Sequence, residues 1–348
     1  MQAQISAIEY YFPTNVVTNE DLARDFPEWT PAKILEKTGI AERRLAAADQ
    51  CSSDLAVEAA EKLFQSGACQ RSEVDYLLLC TQSPDYFLPS TACLLQDRLG
   101  IPQTAGALDF NLGCSGYVYG LGLAKGLIET GQARKIVLIT AETYSKFMHP
   151  SDKSVRPLFG DAAAATLISA HDFSGGELIG PFVFGTDGRG AENLIVRRGG
   201  MRDWARDQED PGGGQRNSTG AGTLYMNGPE IFNFTLRVVP ATVSRLLSLA
   251  GKGFNDIDLF VFHQANQFML EHLRKKLMIP QEKFYVGLRQ CGNTVSSTIP
   301  IALNCAVAEG RLRNGQVAML LGFGVGYSWG GTLIRWMSNA RFLTVRDV

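Results

Sequence analysis

Short runs of branched apolar residues recur along the 348-residue chain. They are Tyr76 to Cys80 (YLLLC), Lys135 to Thr140 (KIVLIT), Ala164 to Ser169 (AATLIS), Leu259 to Phe262 (LFVF), Val317 to Leu321 (VAMLL) and Thr332 to Trp336 (TLIRW). Their shortness and their content of Val, Ile and Leu predict buried strands. Between them lie stretches with apolar residues at helical spacing, among them Ser53 to Phe64, Ser115 to Glu129 and Val295 to Ala308. Such alternation predicts an α/β protein whose strands are covered on both faces.

The pattern also repeats. Gly113-Cys114 opens a small-residue helix that ends near Gly131 and is followed by the strand KIVLIT; Gly292-Asn293 opens a similar helix that reaches Gly310 and is followed by VAMLL. Each copy then closes on a strand that leaves a glycine, GDAAAATLIS (160 to 169) and GYSWGGTLIR (326 to 335). Two halves are therefore expected, 1–175 and 176–348, with Cys114 and Asn293 at equivalent helix starts facing a shared seam. The stretch 185–222, which includes PGGGQRNSTGAG, has the glycine and polar content of a long loop inserted in the second half, with a flexible linker as its plainer reading.

Composition narrows the function. The 33 basic and 35 acidic residues leave a net charge of -2, which gives no global field for a polyanion, so nucleic acid is not an expected partner. The longest apolar runs fall well short of the roughly 18 residues a membrane span needs, and no signal pattern opens the chain; a cytoplasmic protein is expected. Seven scattered cysteines (51, 69, 80, 93, 114, 291, 305) without a C-x-x-C pair argue against a disulfide framework and against a metal site. Most read as small buried hydrophobes.

Three positions invite chemistry. Cys114, in Leu112-Gly113-Cys114-Ser115-Gly116, lies between a strand-like lead-in (Gly106 to Phe110) and a helix start. Helix N–H groups there favour a thiolate and could hold an oxyanion; a buried cysteine in a glycine-rich turn fits the pentapeptide as well. His263 follows LFVF and begins His263-Gln264-Ala265-Asn266, a place that suits a structural histidine or a catalytic one. Asn293, in Gly292-Asn293-Thr294, fits a helix cap or a hydrogen-bond donor.

Together with the opening Ser6 to Asn19 (SAIEYYFPTNVVTN), Glu28-Trp29, Thr38 to Arg44 (TGIAERR), Phe159-Gly160-Asp161 and Gly322 to Gly330 (GFGVGYSWG), these motifs resemble those of the thiolase-like condensing enzymes, most closely the β-ketoacyl-acyl-carrier-protein synthase III family. The resemblance covers nearly the whole chain. It implies a five-layered αβαβα fold of two duplicated halves, a homodimer, and a Cys114-His263-Asn293 site. Cys114 would accept an acyl group from an acyl-coenzyme A or acyl-carrier-protein thioester, and His263 and Asn293 would donate hydrogen bonds to malonyl-acyl-carrier protein as it loses CO2. No metal or redox cofactor is implied.

Further positions follow by the same resemblance. The backbone N–H groups of Cys114 and Val325 would form the oxyanion hole, with Val325 standing where the family usually has glycine. Trp29, Lys33 and Lys153 would meet coenzyme A, the two lysines occupying places where many relatives carry arginine. Arg274, Lys275 and Lys276 would form the docking face for the acyl carrier protein, and Phe268 replaces a frequent arginine near it. Leu88 takes the place of a phenylalanine by which a partner subunit closes the acyl pocket, and Tyr144, Phe159, Met226 and Phe323 are the other expected walls. Two other functions use the same fold: transfer of the acyl group from Cys114 to an alcohol or amine, against which the neutral Asn293 argues, and a non-catalytic partner subunit, against which the intact Cys-His-Asn set argues.

Overall fold

The computed structural model describes residues 1–203 and 222–337. The chain runs β1 (Gln2–Tyr11), β2 (Asn15–Thr18), α1 (Asn19–Asp25), α2 (Pro31–Thr38), β3 (Glu42–Leu45), α3 (Ser52–Gln65), β4 (Tyr76–Cys80), α4 (Thr91–Arg98), β5 (Gly106–Phe110), α5 (Gly116–Glu129), β6 (Lys135–Glu142) and β7 (Ala162–His171). It continues β8 (Ile179–Thr186), β9 (Leu194–Val196), β10 (Leu224–Met226), α6 (Gly228–Ala250), β11 (Leu259–Phe262), α7 (Gln267–Lys276), α8 (Thr298–Ala308), β12 (Val317–Gly324) and β13 (Ser328–Arg335).

The two large sheets follow one plan. In the first the order is β1-β7-β6-β4-β5, in the second β8-β13-β12-β11. In both, the second strand is antiparallel to the first and the third, and the fourth is parallel to the third. The counterpart of β5 is reduced to a parallel bridge between Phe260 and Phe284. The repeated glycine-led strands of the sequence are thus β7 and β13, which hold the same place in their sheets.

Period-two alternation sorts each strand's side chains between two cores. Leu78, Ile136, Leu138 and Ile168 of the first sheet and Val261, Ala318, Leu320 and Ile334 of the second meet Tyr117 and Leu121 of α5 and Ile299 and Leu303 of α8 in one central core. The opposite faces are covered separately. Leu77, Leu79, Val137 and Ile139 pack on Leu55 and Leu63 of α3 and Leu95 of α4, while Phe260, Phe262, Met319 and Leu321 pack on Val239 and Val243 of α6 and Leu270 of α7. The result is five layers, αβαβα, with α5 and α8 in the middle. At roughly 25 cal/mol per Å² of apolar area removed from water, this layering is the main source of stability.

The stretch 185–222 is not loop throughout. Its described part contains β9, which pairs antiparallel with β10, and Leu194 and Leu224 are buried; residues 204–221, with PGGGQRNSTGAG up to its last glycine, lie outside the described residues. All seven cysteines are unpaired, and Cys93 is exposed. Among the described residues no helix is long and apolar enough to cross a membrane, and no group of His, Cys, Asp and Glu could hold a metal ion.

Candidate active site

The start of α5 is shaped by what its residues cannot do locally. Ser115 occupies the N-cap position, but its side chain makes no cap bond; its hydroxyl instead lies 2.6 Å from that of Ser328, at the start of β13. The first N–H groups of α5 are thereby left without a side-chain partner, and the turn that holds Cys114 is tied across the seam to the second half. Close packing fixes it further. A methyl on Gly116 would lie 2.2 Å from Cys80 Sγ, and one on Gly324 would lie 2.9 Å from Cys114 Sγ, so only glycine lets α5 and β12 approach the nucleophile turn this closely.

Cys114 is buried in a cluster with Tyr144, Val155, Phe159, Leu194, Leu224 and Val295, against which Met226 and Val325 also pack. Burial and the nearby Glu142 carboxyl push its thiol up to about 12, with the N–H of Cys114 itself working the other way. In this closed apolar pocket desolvation works against the thiolate that the helix start favours.

Asn293 is oriented by main chain on both sides. Its N–H donates to Leu158 O at 2.8 Å and its carbonyl accepts from Gly160 N at 3.0 Å. The Val295 N–H donates to its side-chain oxygen at 2.9 Å, so the side chain's donor end is its amide N–H2. Val295 makes that bond from φ 54, a left-handed conformation that costs a β-branched residue about 1–3 kcal/mol.

His263 emerges where β11 ends, its N–H donating to Leu321 O of β12. The ring is buried: Nδ1 lies 2.7 Å from the Thr298 hydroxyl, and the Phe323 ring meets it edge-on at 5.6 Å. Burial pulls its pKa down to about 3, so the imidazole is neutral at physiological pH and carries a single N–H. The rest of that motif is structural. Gln264 bonds the main chain at Phe262 and Gly287, and Asn266 caps α7 through Met269 N–H at 2.8 Å.

The other expected residues divide. Tyr144, Phe159 and Met226 line the Cys114 cluster, as does Val325, whose backbone is outside the left-handed region. Phe323 does not: it shares the outer face of β12 with Met319 and Leu321, supporting His263 from behind. Leu88 also lies away from its own chain's pocket, 87% exposed beside Tyr86 and Phe87. Trp29 lies under the Lys33 and Lys37 ammonium groups, 6.0 and 5.3 Å from the ring centroid, while Lys153 pairs with Glu28. Of the basic run, Arg274 is paired with Glu271 and Lys276 bonds Leu236 O. Lys275 lines an open groove with Phe268, His272 and Arg289, and Arg274 lines a neighbouring one with Gln281 and Arg311. The residues the sequence did not single out are Leu194, Leu224, Val155 and Val295 in the wall, Thr298 behind His263, and Lys37 beside Trp29.

Family models described as 3-oxoacyl-(acyl-carrier-protein) synthase III and its C-terminal part match residues 108–188 and 247–336. A Bacillus subtilis protein named β-ketoacyl-(acyl-carrier-protein) synthase III 2 is 39% identical, with 96% of this chain and 99% of that protein covered. The chain belongs to the 3-oxoacyl-(acyl-carrier-protein) synthase III family. A second relative, the β-ketoacyl-(acyl-carrier-protein) synthase III of Caldanaerobacter subterraneus subsp. tengcongensis, is 34% identical over 94% of this chain and 95% of its own. A crystal structure titled 3-oxoacyl-(acyl-carrier-protein) synthase III superposes with a TM-score of 0.93 at 55% identity, covering 97% of this chain and all of the other. The Burkholderia xenovorans synthase gives 0.89 at 36%, covering 97% and 95%. The fold is accordingly the thiolase-like fold of these condensing enzymes, and the chain is an acyltransferase-type condensing enzyme.

Proposed function

We propose that the protein moves an acyl group from a thioester onto Cys114 and condenses it with the carbanion left when malonyl-acyl-carrier protein loses CO2. One observation carries this assignment. A buried thiol at an uncapped helix start shares its seam with two uncharged donors, the Asn293 amide and a histidine that burial keeps neutral.

In the first half-reaction the Cys114 sulfur attacks the thioester carbonyl and its proton leaves as the new carbon–sulfur bond forms. The carbonyl electrons move onto oxygen, where the N–H groups of Cys114 and Val325 hold them. Collapse breaks the bond to the donor thiol, which leaves with a proton. In the second, the carboxylate of the malonyl group departs as CO2, and its bonding electrons pass into an enolate whose oxygen accepts from His263 and Asn293. Neutral donors suit this step, because a cationic imidazole would hold the malonyl carboxylate and oppose its loss. The enolate carbon then attacks the acyl carbonyl, the Cys114 carbon–sulfur bond breaks, and the sulfur takes from solvent the one proton that the condensation consumes. No resident metal or redox group takes part.

Trp29, Lys33, Lys37 and Lys153 are the surface we assign to coenzyme A, and Lys275 with its groove the surface for the carrier protein. We further propose a homodimer in the cytoplasm. β5 is an edge strand whose Leu108 is 42% exposed, and the Tyr86 to Leu88 tip is uncovered; a second copy would cover both and bring Leu88 to its neighbour's acyl pocket. We place the division between the halves near residue 175.

The test separates the two steps. His263→Ala and Asn293→Ala should each lower CO2 release from malonyl-carrier protein about 10²–10³-fold, while self-acylation of Cys114, followed by mass, falls far less. Loss of acylation with CO2 release intact would reverse the roles.

A further inference from the structure

Glu142 ends β6 and is completely buried, although the chemistry above does not use it. Its two carboxylate oxygens serve different parts of the site. Oε1 accepts from the Ser296 hydroxyl at 2.8 Å; Oε2 accepts from Gln82 N–H at 3.0 Å and from the Ser83 hydroxyl at 3.2 Å. Ser296 directly follows Val295, whose N–H orients the Asn293 amide and whose backbone is held in an unfavourable left-handed conformation. Gln82 lies against the nucleophile turn: a methyl on Gly113 would be 2.5 Å from its side-chain oxygen, and that same oxygen accepts from the Tyr144 hydroxyl at 3.1 Å. One buried group thus touches the segments that flank both Asn293 and Cys114.

Building on the proposed condensation, we propose that Glu142 is a positioning residue for Asn293: through Ser296 it holds the strained Val295 turn in register with the nucleophile turn, and so serves decarboxylation more than acyl transfer. The groups that face it are Cys80 from β4, Cys114, Tyr144 and Asp161, none of them a cation. Burial pushes its carboxyl up to about 8, and the hydrogen bonds from Ser296, Gln82 and Ser83 offset that only in part. Its value at the site is the geometry it fixes, since its charge would oppose a thiolate at Cys114.

Ser296→Ala removes the link and leaves Glu142 its bonds from Gln82 and Ser83, and Ser296→Thr keeps a hydroxyl in its place. In the full-length enzyme, Ser296→Ala should lower CO2 release from malonyl-carrier protein about 10- to 100-fold, the scale expected when a donor is misplaced by about 1 Å. Acylation of Cys114 by an acyl-coenzyme A should change less than about threefold, and Ser296→Thr should restore most of the loss. Glu142→Gln, which swaps one oxygen for an N–H2 that cannot accept, should show the same split if it folds. Wild-type CO2 release by Ser296→Ala, an equal fall in both half-reactions, or no recovery in Ser296→Thr overturns the proposal. Absence of any acyl group on wild-type Cys114 would instead overturn the proposed function itself.

Discussion

The seam around Cys114 and Asn293 and the rim around Trp29, Leu88 and Phe268 are built on opposite principles. In the seam the polar groups that aim the chemistry are held by neighbours within the chain: Ser115 by Ser328, the Asn293 oxygen by Val295, the His263 ring by Thr298. At the rim, aromatic and apolar side chains stand uncovered, as Phe268 and Leu88 do, and lysines are held by exposed ion pairs or lie over rings. A buried network tolerates little change because an unmet partner there costs its full desolvation. A surface pair contributes about 0–1 kcal/mol and yields to whatever docks. The contrast assigns reaction type to the seam and choice of substrate to the rim.

The sharpest way to break this contrast is a small change in the seam. Gly324→Ala should lower Cys114 acylation about 10- to 100-fold by crowding the sulfur, and should lower stability by about 1–3 kcal/mol; an unchanged acylation rate would mean that the turn has slack. At the rim, Leu88→Phe should shift kcat/KM toward short acyl starters and leave acetyl transfer intact, because a ring refills space in which each extra methylene gains about 0.8 kcal/mol. A wild-type optimum at acetyl, or an unaltered chain-length profile, would remove Leu88 from the pocket. The smallest effect belongs to the lysines. Lys33→Glu or Lys153→Glu should raise KM for acyl-coenzyme A a fewfold at low salt, with the difference shrinking as added salt screens it and kcat unchanged; a salt-independent KM would place the phosphates elsewhere.

Much of this architecture was legible because the core strands are short continuous apolar runs and the central helices are rich in small residues. Tyr76 to Cys80 and Leu259 to Phe262 form β4 and β11 with those bounds, and the repeat located both sheets. β9 and β10 escaped because three-residue strands beside a glycine-rich stretch carry too little pattern. Phe323 was misplaced despite an available signal: with Met319 and Leu321 it keeps the period of two that puts it on the outer face. Glu142 was overlooked because a carboxylate at the end of an apolar strand ordinarily marks the point where the strand meets water. The setting of Cys114 was half legible for a related reason, since a glycine-flanked helix start is visible in sequence and the desolvation of the pocket around it is not.

The central claim is that Cys114 alone carries the acyl group, and intact-protein mass spectrometry with peptide mapping after incubation with a panel of acyl thioesters tests it most directly. The account predicts one added acyl group per chain, located on the peptide that contains Cys114 and absent from Cys114→Ala. An acyl group on Cys291 or Cys305, or one retained by Cys114→Ala, would contradict it.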